Sequence, residues 1–191
     1  MTELEKMRLF VAVSLPPEVL DAVNEAAASL RSKLTNARWT TEESQHLTMK
    51  FLGWTPSDRL AEVARICSMV AASRQVATIS LTDLGAFPSR KRVRVLWMGV
   101  DDPTGLLTEL ASDLDGAFES LGFQAEGRAY TPHLTLARFK LPVPLKSGFP
   151  ELAAPPHPPI PVESFELYRS HLSPKGARYE VMESFPLGSP R

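Results

Sequence analysis

Apolar and polar positions alternate along the chain with two different periods. Arg8-Leu-Phe-Val-Ala-Val-Ser14 is a β-rich apolar run closed by Pro16-Pro17, which predicts a buried strand. From Glu18 to Leu34, Val19, Leu20, Val23, Ala26, Ala27 and Leu30 recur at helical spacing and predict a helix with one packed face. Gln45 to Leu52 alternates as a strand. Strict alternation puts His46, Thr48 and Lys50 on one face and Leu47, Met49 and Phe51 on the other. A second helix is predicted from Asp58 to Ala72. Two strands follow, near Val76–Leu84 and Arg92–Val100, joined by the turn-rich Gly85-Ala-Phe-Pro-Ser-Arg90.

The pattern then recurs. Val93–Val100 resembles the opening strand, and Asp101-Asp-Pro103 starts a helix running to about Leu121. An Asp or Thr ahead of the helix body can cap its first free amides. The next strand, Tyr130–Phe139, carries His133-Leu-Thr135, 87 residues after His46-Leu-Thr48. Val162–Ser170 and Ala177–Phe185 form a strand pair around Ser173-Pro-Lys-Gly176, 86 residues after the turn containing Phe87-Pro88. The repeated offset predicts duplication, and hence an α+β fold of two pseudo-symmetric, repeat-related lobes; residues 1–191 are expected to form one domain in which the lobes share strands. Leu141–Pro161 breaks the symmetry. It holds eight of the chain's 17 prolines, where a helix stands in the first copy, and is predicted to be a loop.

Composition narrows the function. A net charge of -1 argues against a protein coated for gripping long duplexes, yet leaves room for a small nucleotide site with a few local cations. The one cysteine, Cys67, sits among Val63, Ile66 and Val70 at helical spacing and is expected to be a buried structural thiol. Met1–Met7 is acidic and polar, Phe10–Leu15 is too short for a signal-peptide core, and no 18-residue apolar run occurs. The expectation is a cytoplasmic protein with no membrane partner.

Two His-x-Thr strands make a candidate chemical site. Residues i and i+2 of a strand project together, so each strand offers an imidazole beside a hydroxyl. A lone histidine of this kind is usually structural, but here two of only four histidines carry the same Leu-Thr at equivalent positions. If the strands meet across a cleft, the four groups converge. Opening a cyclic phosphate requires one proton to leave the attacking water while another reaches the leaving oxygen. Two imidazoles near pKa 6.5 can do both, while the hydroxyls donate to the phosphate oxygens. Zinc would want more ligands than these strands supply, so no metal and no cofactor are expected.

At these residues the chain resembles the 2H phosphoesterase superfamily, specifically the RNA 2',3'-cyclic phosphodiesterases, also called 2'-5' RNA ligases. The resemblance runs from Arg8 to about Leu187. It includes Arg8-Leu-Phe-Val-Ala-Val13, Arg38-Trp39, His46-Leu-Thr-Met-Lys-Phe-Leu-Gly53, Phe87-Pro88, Arg94-Val-Leu-Trp97, Pro132-His-Leu-Thr-Leu-Ala-Arg138 and Gly176-Ala-Arg-Tyr-Glu180. It implies two lobes whose antiparallel sheets form a V-shaped groove with helices outside, and metal-independent hydrolysis of an RNA-terminal cyclic phosphate to a 2'-phosphomonoester. By carry-over, His46 is the proton donor, His133 the proton acceptor, and Thr48, Thr135 and Arg138 hold the phosphate. The family's name also implies reverse joining through a 2'-5' linkage. The implied partners are RNA ends or nucleotides bearing a 2',3'-cyclic phosphate, with a monomer as the expected state.

Arg138 comes five residues after His133, so strict alternation turns it to the opposite face. The phosphate role implied by the resemblance requires a bulge, a strong twist or a strand end. Thr131 stands where many relatives carry a basic residue. Arg90, Lys91, Arg92 and Arg94 either line the groove or form a solvated hairpin tip. Trp39, Trp54 and Tyr130 offer rings for a base, against core or rim packing for the tryptophans, and His157 and His171 are read as bystanders. Two rivals stand beside the RNA reading: an esterase for a small cyclic nucleotide of the ADP-ribose cyclic phosphate type, and a non-catalytic RNA-end binding module.

Overall fold

The computed structural model describes residues 5–145, 150–173 and 176–188. Its strands are β1 (Lys6–Val13), β2 (Arg38–Trp39), β3 (Leu47–Pro56), β4 (Ala77–Ser89), β5 (Arg92–Asp101), β6 (His133–Val143), β7 (Ile160–Val162), β8 (Ser164–Ser173) and β9 (Gly176–Pro186). The helices are α1 (Pro17–Ala26), α2 (Ala28–Lys33), α3 (Leu60–Ala72) and α4 (Leu106–Glu119). Two sheets result, ordered β3-β1-β8-β9 and β2-β6-β5-β4-β7, with antiparallel pairing throughout.

The internal repeat is visible in this order. In one sheet a His-x-Thr strand, β3, lies beside β1; in the other, β6 lies beside β5. The third strand of each series comes from the other half of the chain: β8 flanks β1, and β4 flanks β5. Because each half lends a strand to the other's sheet, the lobes interlock around one apolar core. That core joins Leu9 and Val11 of β1, Val63 and Ile66 of α3, Leu110 and Leu114 of α4, and Leu134 and Leu136 of β6. Each such side chain contributes roughly 1.5–3 kcal/mol on burial. Cys67 belongs to this core, and burial pushes its thiol pKa up, as suits a structural cysteine.

Several predicted boundaries move. The helix over 18–34 is divided at Ala27 into α1 and α2. The segment Gly85–Ser89 is strand rather than turn, leaving only Arg90 and Lys91 at the hairpin tip. Gly85 permits this: a Cβ there would lie 2.1 Å from the Trp97 indole, which occupies the space on the neighbouring strand. At the C-terminal end of the Pro-rich segment, Ile160–Val162 pairs with Ala77–Ile79 as an edge strand, where a proline is tolerated. α4 starts at Leu106, with Gly105 at the N-cap position, rather than at Asp101-Asp-Pro103; Asp102 Oδ2 nevertheless accepts from the amides of Leu107 (2.9 Å) and Thr108 (3.3 Å). Pro174 and Lys175 of the C-terminal turn lie outside the described residues. Among the described residues no helix is long and apolar enough to cross a membrane.

Candidate active site

Both His-x-Thr strands break their alternation at the same step. In β6, Leu96 of β5 faces Ala137 and Trp97 faces Thr135, so Leu136 is the extra residue of a bulge. Leu134, Leu136, Ala137 and Phe139 are all buried, which reverses the phase after Leu136. Arg138 therefore projects to the side of His133 and Thr135 and lines the same cavity. Thr40 holds the bulge: its hydroxyl donates to the carbonyls of both Thr135 and Leu136 at 2.9 Å.

In β3 the same step, with Val11 facing Lys50 and Ala12 facing Thr48, leaves Met49 as the extra residue. This overturns the strict alternation expected from the sequence. Lys50 turns into the core (1% exposed), and Phe51 comes out to the cavity side (50% exposed). The buried Lys50 ammonium donates to Asp115 of α4 at 2.5 Å and to the Gln124 carbonyl at 2.6 Å. Asp115 also accepts from the amide of Glu126, at 3.0 Å. These bonds tie β3 of one sheet to α4 and to the segment that leads into the His133 strand.

His133 is held by a short hydrogen bond between its Nδ1 and the Thr131 carbonyl, 2.7 Å long. A carbonyl only accepts, so Nδ1 carries the proton and Nε2 of the neutral ring keeps its lone pair. Phe87 packs edge-on against the ring at 5.0 Å, and Trp97 is tilted beside it at 5.9 Å. Burial lowers the pKa of His133, the bond to Thr131 works against that shift, and the Arg138 charge adds to it.

His46 sits immediately before β3 in an aromatic box. Its ring centroid lies 4.8 Å from Phe10, 5.5 Å from Tyr168 and 5.1 Å from Tyr179. The Ser14 hydroxyl anchors Tyr168 (2.6 Å) and donates to the buried Glu166. Ahead of His46, the buried Gln45 exchanges two hydrogen bonds with Asn24 of α1, at 2.9 and 3.1 Å. Desolvation in the box, with a smaller contribution from Arg138, pushes the His46 pKa down to about 4. The Arg138 guanidinium contributes to lowering both histidines, but the lining of the cavity between the sheets includes His133 and not His46.

A cavity of about 710 Å³ opens between the sheets, lined by Thr48 and Phe51 from one and His133, Thr135 and Arg138 from the other, with α4 as its far wall. Thr131 and Tyr130 also line it. The buried Tyr130 hydroxyl makes no hydrogen bond among the described residues, and burial together with Asp102 pushes its pKa up. Arg90, Lys91, Arg92 and Arg94 are exposed around the hairpin tip and do not line the cavity; Arg94 donates to the Lys140 carbonyl. Trp54 is exposed outside it, while Trp39 packs on the core under Arg31. His157 accepts from the Leu81 amide, and His171 pairs with Glu180 at the far hairpin. Sequence reasoning missed Phe51, Lys50 and the box around His46. A lysine flanked by Leu47, Met49 and Leu52 was the available sign that alternation fails there. Among the described residues no group of three or more His, Cys, Asp or Glu is placed to hold a metal ion.

The family model described as the 2'-5' RNA ligase superfamily matches residues 15–174. An RNA 2',3'-cyclic phosphodiesterase of Geobacillus stearothermophilus is 31% identical over 189 residues; the match covers 98% of this chain and 60% of that protein's length. The RNA 2',3'-cyclic phosphodiesterase of Methanothermobacter thermautotrophicus is 32% identical over 185 residues, covering 95% of this chain and 100% of the relative. Among solved structures, TT0787 of Thermus thermophilus superposes with a TM-score of 0.83 at 31% identity, covering 97% of this chain and 100% of the other.

Proposed function

The chain belongs to the 2'-5' RNA ligase superfamily, and from that premise we propose that it hydrolyses an RNA-terminal 2',3'-cyclic phosphate to a 2'-phosphomonoester. His133 Nε2 takes the proton from a water that attacks phosphorus. The bond from phosphorus to the 3' oxygen breaks in line, and His46 delivers a proton to that oxygen. Thr48, Thr135 and Arg138 meet the non-bridging oxygens, where negative charge gathers. The same two groups with the same proton duties serve joining, in which the 5'-hydroxyl of a second RNA takes the water's place: His133 accepts its proton, the bond from phosphorus to the 3' oxygen breaks, His46 protonates that oxygen, and a 2'-5' linkage forms. One chain supplies every group, so a monomer is a complete catalyst in this reading.

The observation that carries the proposal is the fixed tautomer of His133. Its Nδ1 is committed to Thr131, leaving Nε2 as acceptor in a cavity shared with both threonines and Arg138. The depressed pKa of His46 fits a donor that is charged only when an anion arrives, because a bound phosphodiester offsets both Arg138 and desolvation.

Phosphorus NMR of a cyclic-phosphate-terminated oligoribonucleotide incubated with the protein in chelator tests the reaction. The expected product is a single 2'-phosphomonoester. A 3'-phosphomonoester would sink the assignment of the leaving oxygen. Tight binding without turnover would favour an RNA-end binding module instead.

A further inference from the structure

Arg38 and Arg138 are directly opposed residues on neighbouring strands: Arg38 of β2 pairs with Arg138 of β6, and Trp39 with Ala137. Opposed residues of an antiparallel pair share a face, with Cα atoms about 4.5–5.5 Å apart. Trp39 and Ala137 pack on the core, so Arg38, exposed and outside the cavity's own lining, stands on the same sheet face as the cavity-lining Arg138. Arg38 also reaches across to the other sheet. A Cβ on Gly176, the first residue of β9, would lie 2.3 Å from Arg38 Nη2, so the guanidinium rests against the Gly176 backbone at the groove's rim. The Thr40 hydroxyl, two residues on, fixes β2 to the bulge that aims Arg138.

We propose that Arg38 binds a second phosphate of the substrate, the backbone phosphodiester one nucleotide before the cyclic end, and so makes the enzyme prefer an RNA chain over a mononucleotide. The assignment rests on the cyclic-phosphodiesterase reading and refines its substrate class. Arg138 meets the reacting phosphate, and a second cation one strand outward answers a second negative charge on the same strand. An isolated nucleoside cyclic phosphate has no such charge.

The test compares a dinucleotide ending in a 2',3'-cyclic phosphate with the matching nucleoside 2',3'-cyclic phosphate, and with that nucleoside bearing a 5'-diphosphate. The wild type is expected to prefer the dinucleotide. Arg38→Gln should cut that preference, the ratio of the two kcat/KM values, by about tenfold, and should flatten the log–log salt dependence of dinucleotide KM by about 0.7, the value of one phosphate contact on a single strand. Arg38→Lys, which keeps the charge, should restore most of the salt slope. An unchanged ratio in Arg38→Gln overturns the proposal, as does a salt slope that Lys leaves as flat as Gln does. Preference of the wild type for the 5'-diphosphate over the dinucleotide assigns Arg38 to a small nucleotide and overturns it too. A wild type that turns over none of the three substrates sinks the phosphodiesterase reading itself, whereas equal turnover of all three sinks only the role of Arg38.

Discussion

Phe51 and Arg138 occupy the same step of two matching strands, each five residues past a histidine and each turned into the cavity by a bulge three residues past it. The backbone device is repeated, but the side chains are not. One wall of the groove receives an exposed ring and the other a cation. A pseudo-symmetric frame thereby holds an asymmetric site, with charge concentrated on the side of His133.

In the proposed mechanism, removing either imidazole removes one proton path. His46→Ala and His133→Ala are each expected to lower the hydrolysis rate roughly 10²-fold or more, as general acid–base groups do. Rates should be compared on variants whose thermal unfolding shows an intact fold. Near-full turnover in either folded variant would exclude the paired-histidine mechanism.

The free groove lowers both histidine pKa values, His46 to about 4. In the proposed mechanism the acid must be protonated, so activity of the free enzyme is lost as pH rises through the His46 pKa. The base must be neutral, so activity is gained as pH rises through that of His133. The optimum of kcat/KM is therefore expected on the acid side of pH 6.5. A bound phosphate's negative charge favours the imidazolium forms, so the kcat optimum should lie at higher pH. Coincident optima above pH 7 would contradict this electrostatic account.

Arg138→Gln withdraws a cation from both rings and, in the proposed mechanism, from the phosphate. A fall in kcat/KM of about 10²-fold is expected, of the size seen when a transition-state donor is lost. Because Arg138 depresses both histidines, the pH profile should also move upward. Thr40→Val, which strips the donor from the bulge carbonyls, should shift the profile in the same direction by less. A loss of rate without a pH shift would mean that Arg138 acts only in binding.

Lys50→Met takes the ammonium partner from Asp115, which keeps the Glu126 amide, and removes the lysine donor from the Gln124 carbonyl. Asp115 is 25% exposed, so the loss of stability, readable by urea unfolding, is expected to fall below the roughly 3–5 kcal/mol of a fully buried pair. Adding Asp115→Leu should recover part of that loss. A single variant as stable as the wild type would show that this bracket does not hold the lobes together.

The sequence alone determined the candidate chemistry and most of the elements. His46 and His133 declare themselves by the same Leu-Thr at an 87-residue offset, and runs such as Arg8–Ser14 and Asp58–Ala72 have periods that local sterics and burial convert directly into strand or helix. Only the tertiary structure decided which way Lys50, Phe51 and Arg138 point. A period of two assigns faces for as long as the hydrogen-bond ladder runs unbroken, and both ladders break. The breaks depend on partners far away in the chain: β1 for Met49, and β5 with the Thr40 hydroxyl for Leu136. The exchange of β4 and β8 between halves, and the aromatic box around His46, are likewise contacts between distant segments. Their energies arise on packing, so although shared strands are expected, which strands exchange and which rings enclose His46 follow from contacts between distant segments.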